Sequence, residues 1–219
     1  MAESEELDLL AEQERTLLAR LPYRSSTSDE VEQAAIASDY TTIAFRYLAL
    51  ARAGDVEATK RVLLLWWLSI IDPAVVTGLP DFDDSFADDT VALLRREVQN
   101  PADIEMRAMI AWLYAIGDWL LDARAPDLSG DLASTVLEFL DEDGRVDFHH
   151  LDLERYRGQW TEYFQSLASI PRGELDYVTI PAVPTPWFQR LFEGRQFEIY
   201  FLTLLVVVGG VTLLAESCG

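Results

Sequence analysis

Ten consecutive residues, Val62-Leu-Leu-Leu-Trp-Trp-Leu-Ser-Ile-Ile71, carry no charge, and serine is the only small polar residue among them. They continue a charged start at Asp55 and are stopped by Asp72-Pro73, so a helix is predicted from Asp55 to Ile71. A helix apolar on every side has to be covered on every side. The remaining chain must therefore build a core around it.

The flanking segments read as helices able to do so. Residues 5–20 form a short one, and the Ser/Thr run from Ser25 to Ser28 opens a long one, with Thr27 and Glu30 at capping-box spacing. Within it Ile36, Tyr40, Ile43, Tyr47 and Leu50 recur every three or four residues, and Gly54 stands where a C-terminal glycine ends a helix. After Thr77-Gly-Leu-Pro80 opens an acidic loop, helix is expected from Asp84 to Val98. Asn100-Pro101 then supplies a cap and first position for a helix reaching Leu121. Ser129 is expected to cap a helix ending at Leu140, and a further helix should run from Leu151 to Leu167, striped by Leu153, Tyr156, Trp160, Tyr163 or Phe164, and Leu167. No fixed internal period appears, so repeat solenoids are not indicated.

From Pro171 to Pro186 four prolines and a short strand-like run, Asp176 to Ile180, predict an extended connector. The expected architecture is all-α: one array of about eight antiparallel helices in a body of residues 1–170, a connector of 171–186, and an apolar segment of 187–219. Sixteen uncharged residues, Ile199–Leu214, lie inside that last segment. As a helix they would reach about 24 Å, short of the ~30 Å of a bilayer core. A fully buried helix or a buried hairpin turning at Gly209-Gly210 is preferred. A membrane anchor or partner-buried helix, flanked by Trp187, Arg190 and Arg195, is the alternative.

Half the residues are hydrophobic, yet 38 acids face 17 basic residues for a net charge of −21. The first figure separates the chain from disordered acidic proteins. The second repels phosphate backbones and anionic lipids, so direct nucleic-acid binding is not expected, whereas a basic protein partner would be steered inward. Lys60 is the only lysine among the cations, a bias compatible with a GC-rich genome or a salt-adapted organism. No secretory leader is visible at Met1, and Cys218 is the single cysteine, so a reducing, cytoplasmic home is expected.

Three places invite chemistry. The stretch Asp141 to His150 resembles the second half of an EF-hand calcium loop, with Asp141, Asp143, Gly144, Val146 and Asp147 at positions three, five, six, eight and nine. It departs from that pattern at the first position, Phe139, and the twelfth, His150, where the family places acidic ligands. Asp141, Asp143, Asp147 and His150 are thus weak metal candidates, and an acidic connector turning at Gly144 is preferred. His149 and His150, adjacent on a helix, would point about 100° apart and rarely share a metal.

The densest acid run, Asp81, Asp83, Asp84, Asp88 and Asp89, is interleaved with Phe82 and Phe86. It serves either as a helix start complementing the macrodipole or as a docking patch for an arginine-rich surface. Trp66, Trp67, Trp112 and Trp119 are expected in the core. No nucleophile–His–acid set, phosphate loop or Glu-x-x-His pair is present. The expectation is a non-enzymatic, cofactor-free acidic interaction module of inhibitor, immunity or adaptor type. The alternative is an accessory subunit held in a larger complex by its C-terminal segment.

Overall fold

The computed structural model describes residues 2–21, 30–72, 74–141, 146 and 149–168. Of these, 79% are helical and none lies in a strand, which establishes the all-α class. By compactness the chain divides into Met1–Ile180 and Pro181–Gly219, and every described residue belongs to the first unit. The connector 171–186, the segment 187–219 and Cys218 lie outside the described residues. Among the described residues, no helix is long and apolar enough to cross a membrane.

In chain order the elements are α1 (Ala2–Ala19), α2 (Glu30–Arg52), α3 (Val56–Ile71), a single turn α4 (Ala74–Thr77), α5 (Asp84–Gln99), α6 (Ile104–Arg124), a 3₁₀ turn (Pro126–Leu128), α7 (Ser129–Glu138) and α8 (Gln159–Ala168). The α2–α3 junction shows how closely local sequence sets these limits. Gly54 adopts φ +102°, the Gly54 N–H donates to Ala51 O at 3.1 Å, and the Asp55 N–H donates to Leu50 O at 3.1 Å. Together these make a Schellman stop. Asp55 then caps α3 by accepting the Ala58 N–H at 2.8 Å.

α3 is the element the others cover. It packs against α2, α4, α5, α6 and α8, and Val62 through Leu68 are all buried. The cover thins at its end, where Ile70 is 40% exposed. Around α3, Ile36, Tyr40, Ile43 and Tyr47 of the predicted α2 stripe are buried and Leu50 is partly so, with Phe86, Trp112, Trp160 and Phe164 buried from the later helices. Trp112 Nε1 donates to the Tyr163 hydroxyl at 3.1 Å, and Trp67 meets the Tyr163 ring edge-on at 5.9 Å. These rings fasten α3, α6 and α8 together.

Several expected boundaries move, each for a local reason. Asn100 ends α5, its N–H donating to Arg96 O, and the cap of α6 is Asp103, which accepts the Met106 N–H at 2.6 Å. Ser129 does not cap: its hydroxyl donates to Asp122 Oδ1 at 2.5 Å, and the 3₁₀ turn leads into α7. α7 ends at Glu138, and Leu140 bridges antiparallel to Val146. The largest change is at Leu151–Gly158, predicted helical and found irregular. There Glu105 accepts the Asp152 N–H, Asp152 accepts the Glu154 N–H, and Thr161 accepts the Arg157 N–H. Side-chain acceptors thus replace the helical ladder before α8 begins. Trp119 also departs from expectation: beyond the kink at Gly117 in α6 it is 49% exposed.

Two alanine substitutions separate backbone strain from packing, because a Cβ at Gly54 or Gly130 would meet nothing within 4 Å. Gly54→Ala is expected to destabilise by about 1–2 kcal/mol through its positive φ. Gly130→Ala, inside α7, should stabilise by about 0.5–1 kcal/mol. Urea midpoints of the two variants against the parent check both signs.

Candidate functional site

The first turns of α3 place Glu57, Lys60 and Arg61 on one face, at the three- and four-residue spacing that makes helix neighbours. That face points inward, and Lys60 and Arg61 are buried. Buried charges require partners. Lys60 Nζ donates to Asp103 Oδ2 at 2.7 Å and to Glu105 Oε2 at 2.5 Å. Glu105 Oε2 also accepts from Arg157 Nη1 at 2.9 Å, and Arg157 Nη1 lies 3.5 Å from Glu57 Oε2. Arg61 donates to Glu57 at 3.1 Å, to Leu7 O at 2.9 Å and to the Tyr47 hydroxyl at 2.9 Å. Tyr47 in turn donates to Glu14 at 2.6 Å. One network therefore runs from Asp103 to Glu14 through α6, α3, α2, α1 and the loop before α8.

The two ends of this network differ electrostatically. Burial pushes the Glu105 carboxyl up, but hydrogen bonds from Arg157, Lys60 and the Asp152 N–H outweigh it, and the net shift is downward. At Glu14 burial dominates: despite hydrogen bonds from Tyr47 and Gln159 and the field of Arg61, its carboxyl is raised from 4.5 to about 7. Two open grooves lie elsewhere. One of about 380 Å³ is walled by Arg20, Asp39 and Arg46 between α1 and α2, and one of about 250 Å³ is lined by Glu97, Arg107 and Thr135.

The predicted docking residues gather at the start of α5. Asp83 is its N-cap, accepting from the Phe86 N–H and the Ser85 hydroxyl at 2.9 Å each, and these bonds hold its carboxyl below the usual range. Asp84 lies 3.4 Å from Arg124 with its side chain 89% exposed, and Asp89 pairs with Arg52. Asp81 and Asp88 are exposed and enter no ion pair among the described residues. Phe82 is half-buried, stacked on buried Phe86 at 4.2 Å, while Phe45 of α2 meets Phe86 edge-on at 5.3 Å and is 41% exposed. Asp83 thus caps α5, while Asp81, Asp84 and Asp88 of the same segment are exposed.

Of the four weak metal candidates, two lie among the described residues. Asp141 is exposed, Asp143 and Asp147 lie outside the described residues, and His150 packs edge-on against Phe139 at 5.5 Å. The His149 and His150 rings are 3.6 Å apart. No group of three His, Cys, Asp or Glu among the described residues is arranged to hold a metal ion.

Every lysine and arginine among the described residues, from Arg15 to Arg157, pairs with a carboxylate. The sequence marked Lys60 as unusual and set Glu57 and Arg61 four residues apart, but nothing in it flagged Glu14, Glu105 or Arg157. No family model, curated protein or solved structure matches the chain. Any account of its role therefore rests on the geometry above.

Removing Glu105 takes from Lys60 and Arg157 the buried carboxylate they share, leaving Lys60 with Asp103 and Arg157 with Glu57 and Asp152, so Glu105→Ala is expected to destabilise by about 3 kcal/mol at neutral pH, the low end for a broken buried pair. Because the folded Glu105 carboxyl sits below its ordinary 4.5, its contribution is present above that value and lost as pH falls through the folded-state value. The stability gap between parent and variant, read from denaturation curves, should therefore narrow as pH falls below 4.5.

Proposed function

We propose that this chain is a non-enzymatic, acidic helical interaction module that docks on a basic, arginine-rich protein through the start of α5. One observation carries the reading: Asp81, Asp84 and Asp88 are exposed on the segment that opens α5, where half-buried Phe82 and exposed Phe45 both pack on Phe86. They do so on a surface whose described cations are already paired. An arginine guanidinium suits this corner twice, by pairing with carboxylate and by stacking on an aromatic face. The net charge of −21 would accelerate encounter with a cationic partner and disfavour nucleic acid.

In the same reading, the helices form one array of about eight antiparallel members, residues 199–214 complete it as a buried element, and the protein works in the cytoplasm. The sixteen uncharged residues also favour a second reading, an accessory subunit held in a larger complex through that segment.

An arginine-rich peptide titrated calorimetrically at two salt concentrations tests the docking corner. The triple variant D81N/D84N/D88N should weaken binding at least tenfold. The control E5Q/D131N/E154Q, three exposed acids elsewhere, should change it little. Equal losses in both would mean that only total charge matters and would remove the corner from the account.

A further inference from the structure

The Glu14 carboxyl stands where α1, α2 and α8 meet. It projects from α1, is 1% exposed, and accepts from the Tyr47 hydroxyl of α2 at 2.6 Å and from the Gln159 N–H, the first residue of α8, at 2.8 Å. Gly158 lies against it so closely that a Cβ there would come within 2.3–2.5 Å of the carboxyl atoms, and its φ of +68° also requires glycine. The entry to α8 is thus the lid that seals Glu14 from water. No cation among the described residues pairs directly with it. Arg61 of α3 reaches it only through the Tyr47 hydroxyl, at 2.9 Å.

We propose that docking of α8 is proton-linked through Glu14: the helix is held while the carboxyl carries a proton and loosens when the carboxyl ionises. The reason is the difference between the two environments of one group. Docked, an ionised Glu14 has neither water nor a contacting cation; undocked, it has water. The other bonds at this end of α8 do not titrate near neutrality. The Gln159 amide donates to the Tyr40 hydroxyl at 3.1 Å and to Thr77 O at 2.5 Å, while Trp160 and Phe164 are buried apolar contacts.

The charged and titratable groups around Glu14 do not reverse this. On α2 there is Tyr47, raised by burial and by Glu14 itself, and on α3 Arg61 with Glu57 behind it. On the α8 side Tyr156 is pushed up to about 12 by burial and by Glu162, with Glu14 adding to it, and Arg15 of α1 lies over its ring at 3.8 Å. Tyr47, Tyr156 and Arg61 are all raised and hold one protonation state from pH 5 to 8, which leaves Glu14 to respond.

Its carboxyl sits at about 7 when sealed and 4.5 in water. The proton-dependent hold on α8 is therefore complete below 4.5 and lost as pH rises through about 7. Across that window the opening constant of α8 should rise by up to about tenfold per pH unit, then level.

Hydrogen exchange on the full chain between pH 5 and 8.5, corrected for intrinsic rates, reads this directly. Protection of the α8 amides should fall up to about tenfold per unit to near pH 7 and then flatten, while α5 amides keep theirs. Glu14→Gln should abolish the slope in α8. Tyr47→Phe removes a hydrogen bond that favours the ionised form, so it should carry the upper end of the window to higher pH and keeps the proposal testable if Glu14→Gln fails to fold. Protection in the parent that is flat or rising, the parent slope persisting in Glu14→Gln, or a carbon-detected titration placing Glu14 near 4.5 would each overturn the proposal.

Discussion

The interior position of Lys60 and Arg61 is the constraint from which much of this structure follows. They begin the same helix whose later turns are wholly apolar, so one element demands both a dry sheath and a set of buried carboxylates. The sheath comes from α2, α5, α6 and α8 by ordinary amphipathic packing. The carboxylates come from farther away in sequence: Glu105 is 45 residues from Lys60, and Asp103 is 43. Ion pairs inside a protein contribute little net stability over apolar contacts of equal volume, yet they penalise misplacement heavily. Rotating α3 by one residue would leave its apolar turns covered but would swing Lys60 away from Glu105. The network thus fixes the rotation of α3, which grease alone would not.

The same constraint explains why the loop before α8 is irregular. Its apolar residues have helical spacing, and Leu151, Trp160 and Phe164 do turn inward. But Arg157 has to reach Glu105 and Glu57, and the Asp152 N–H has to reach Glu105, so the backbone follows its hydrogen-bond partners instead of its own ladder. Tertiary bonding overrides periodicity where a buried charge must be met, and helix resumes at Gln159 once Glu14 has accepted its first N–H.

How much of this was legible depends on whether the signal was local. Helix existence, the buried stretch of α3, the stop at Gly54 and the acidic start of α5 are written within one or two turns of sequence, and the structure has them. The cap at Asp103 instead of Asn100, and the use of Ser129 as a donor instead of a cap, turn on competition among neighbouring polar groups that differ little in intrinsic preference. The network was invisible because its members come from five separate segments, and a buried glutamate such as Glu14 reads like any helical acid. Phe45 joined the α5 corner for the same reason: it sits on α2, half a turn off that helix's buried stripe, and only folding sets it beside Phe86.

Charge balance links the interior to the surface. With every described cation engaged by a carboxylate, internal pairing leaves an unopposed surplus of acid outside, and a surplus of that size repels itself. Exposed pairs such as Arg95–Asp127 and Arg155–Asp8 relieve that repulsion locally but are screened and weak. The buried pairs are not screened, so salt should leave the core network intact while relaxing the surface around it. On the proposed reading, a cationic partner would offer at the start of α5 what added salt supplies diffusely. On that reading, binding would relieve part of the self-repulsion that the net charge of −21 imposes on the fold.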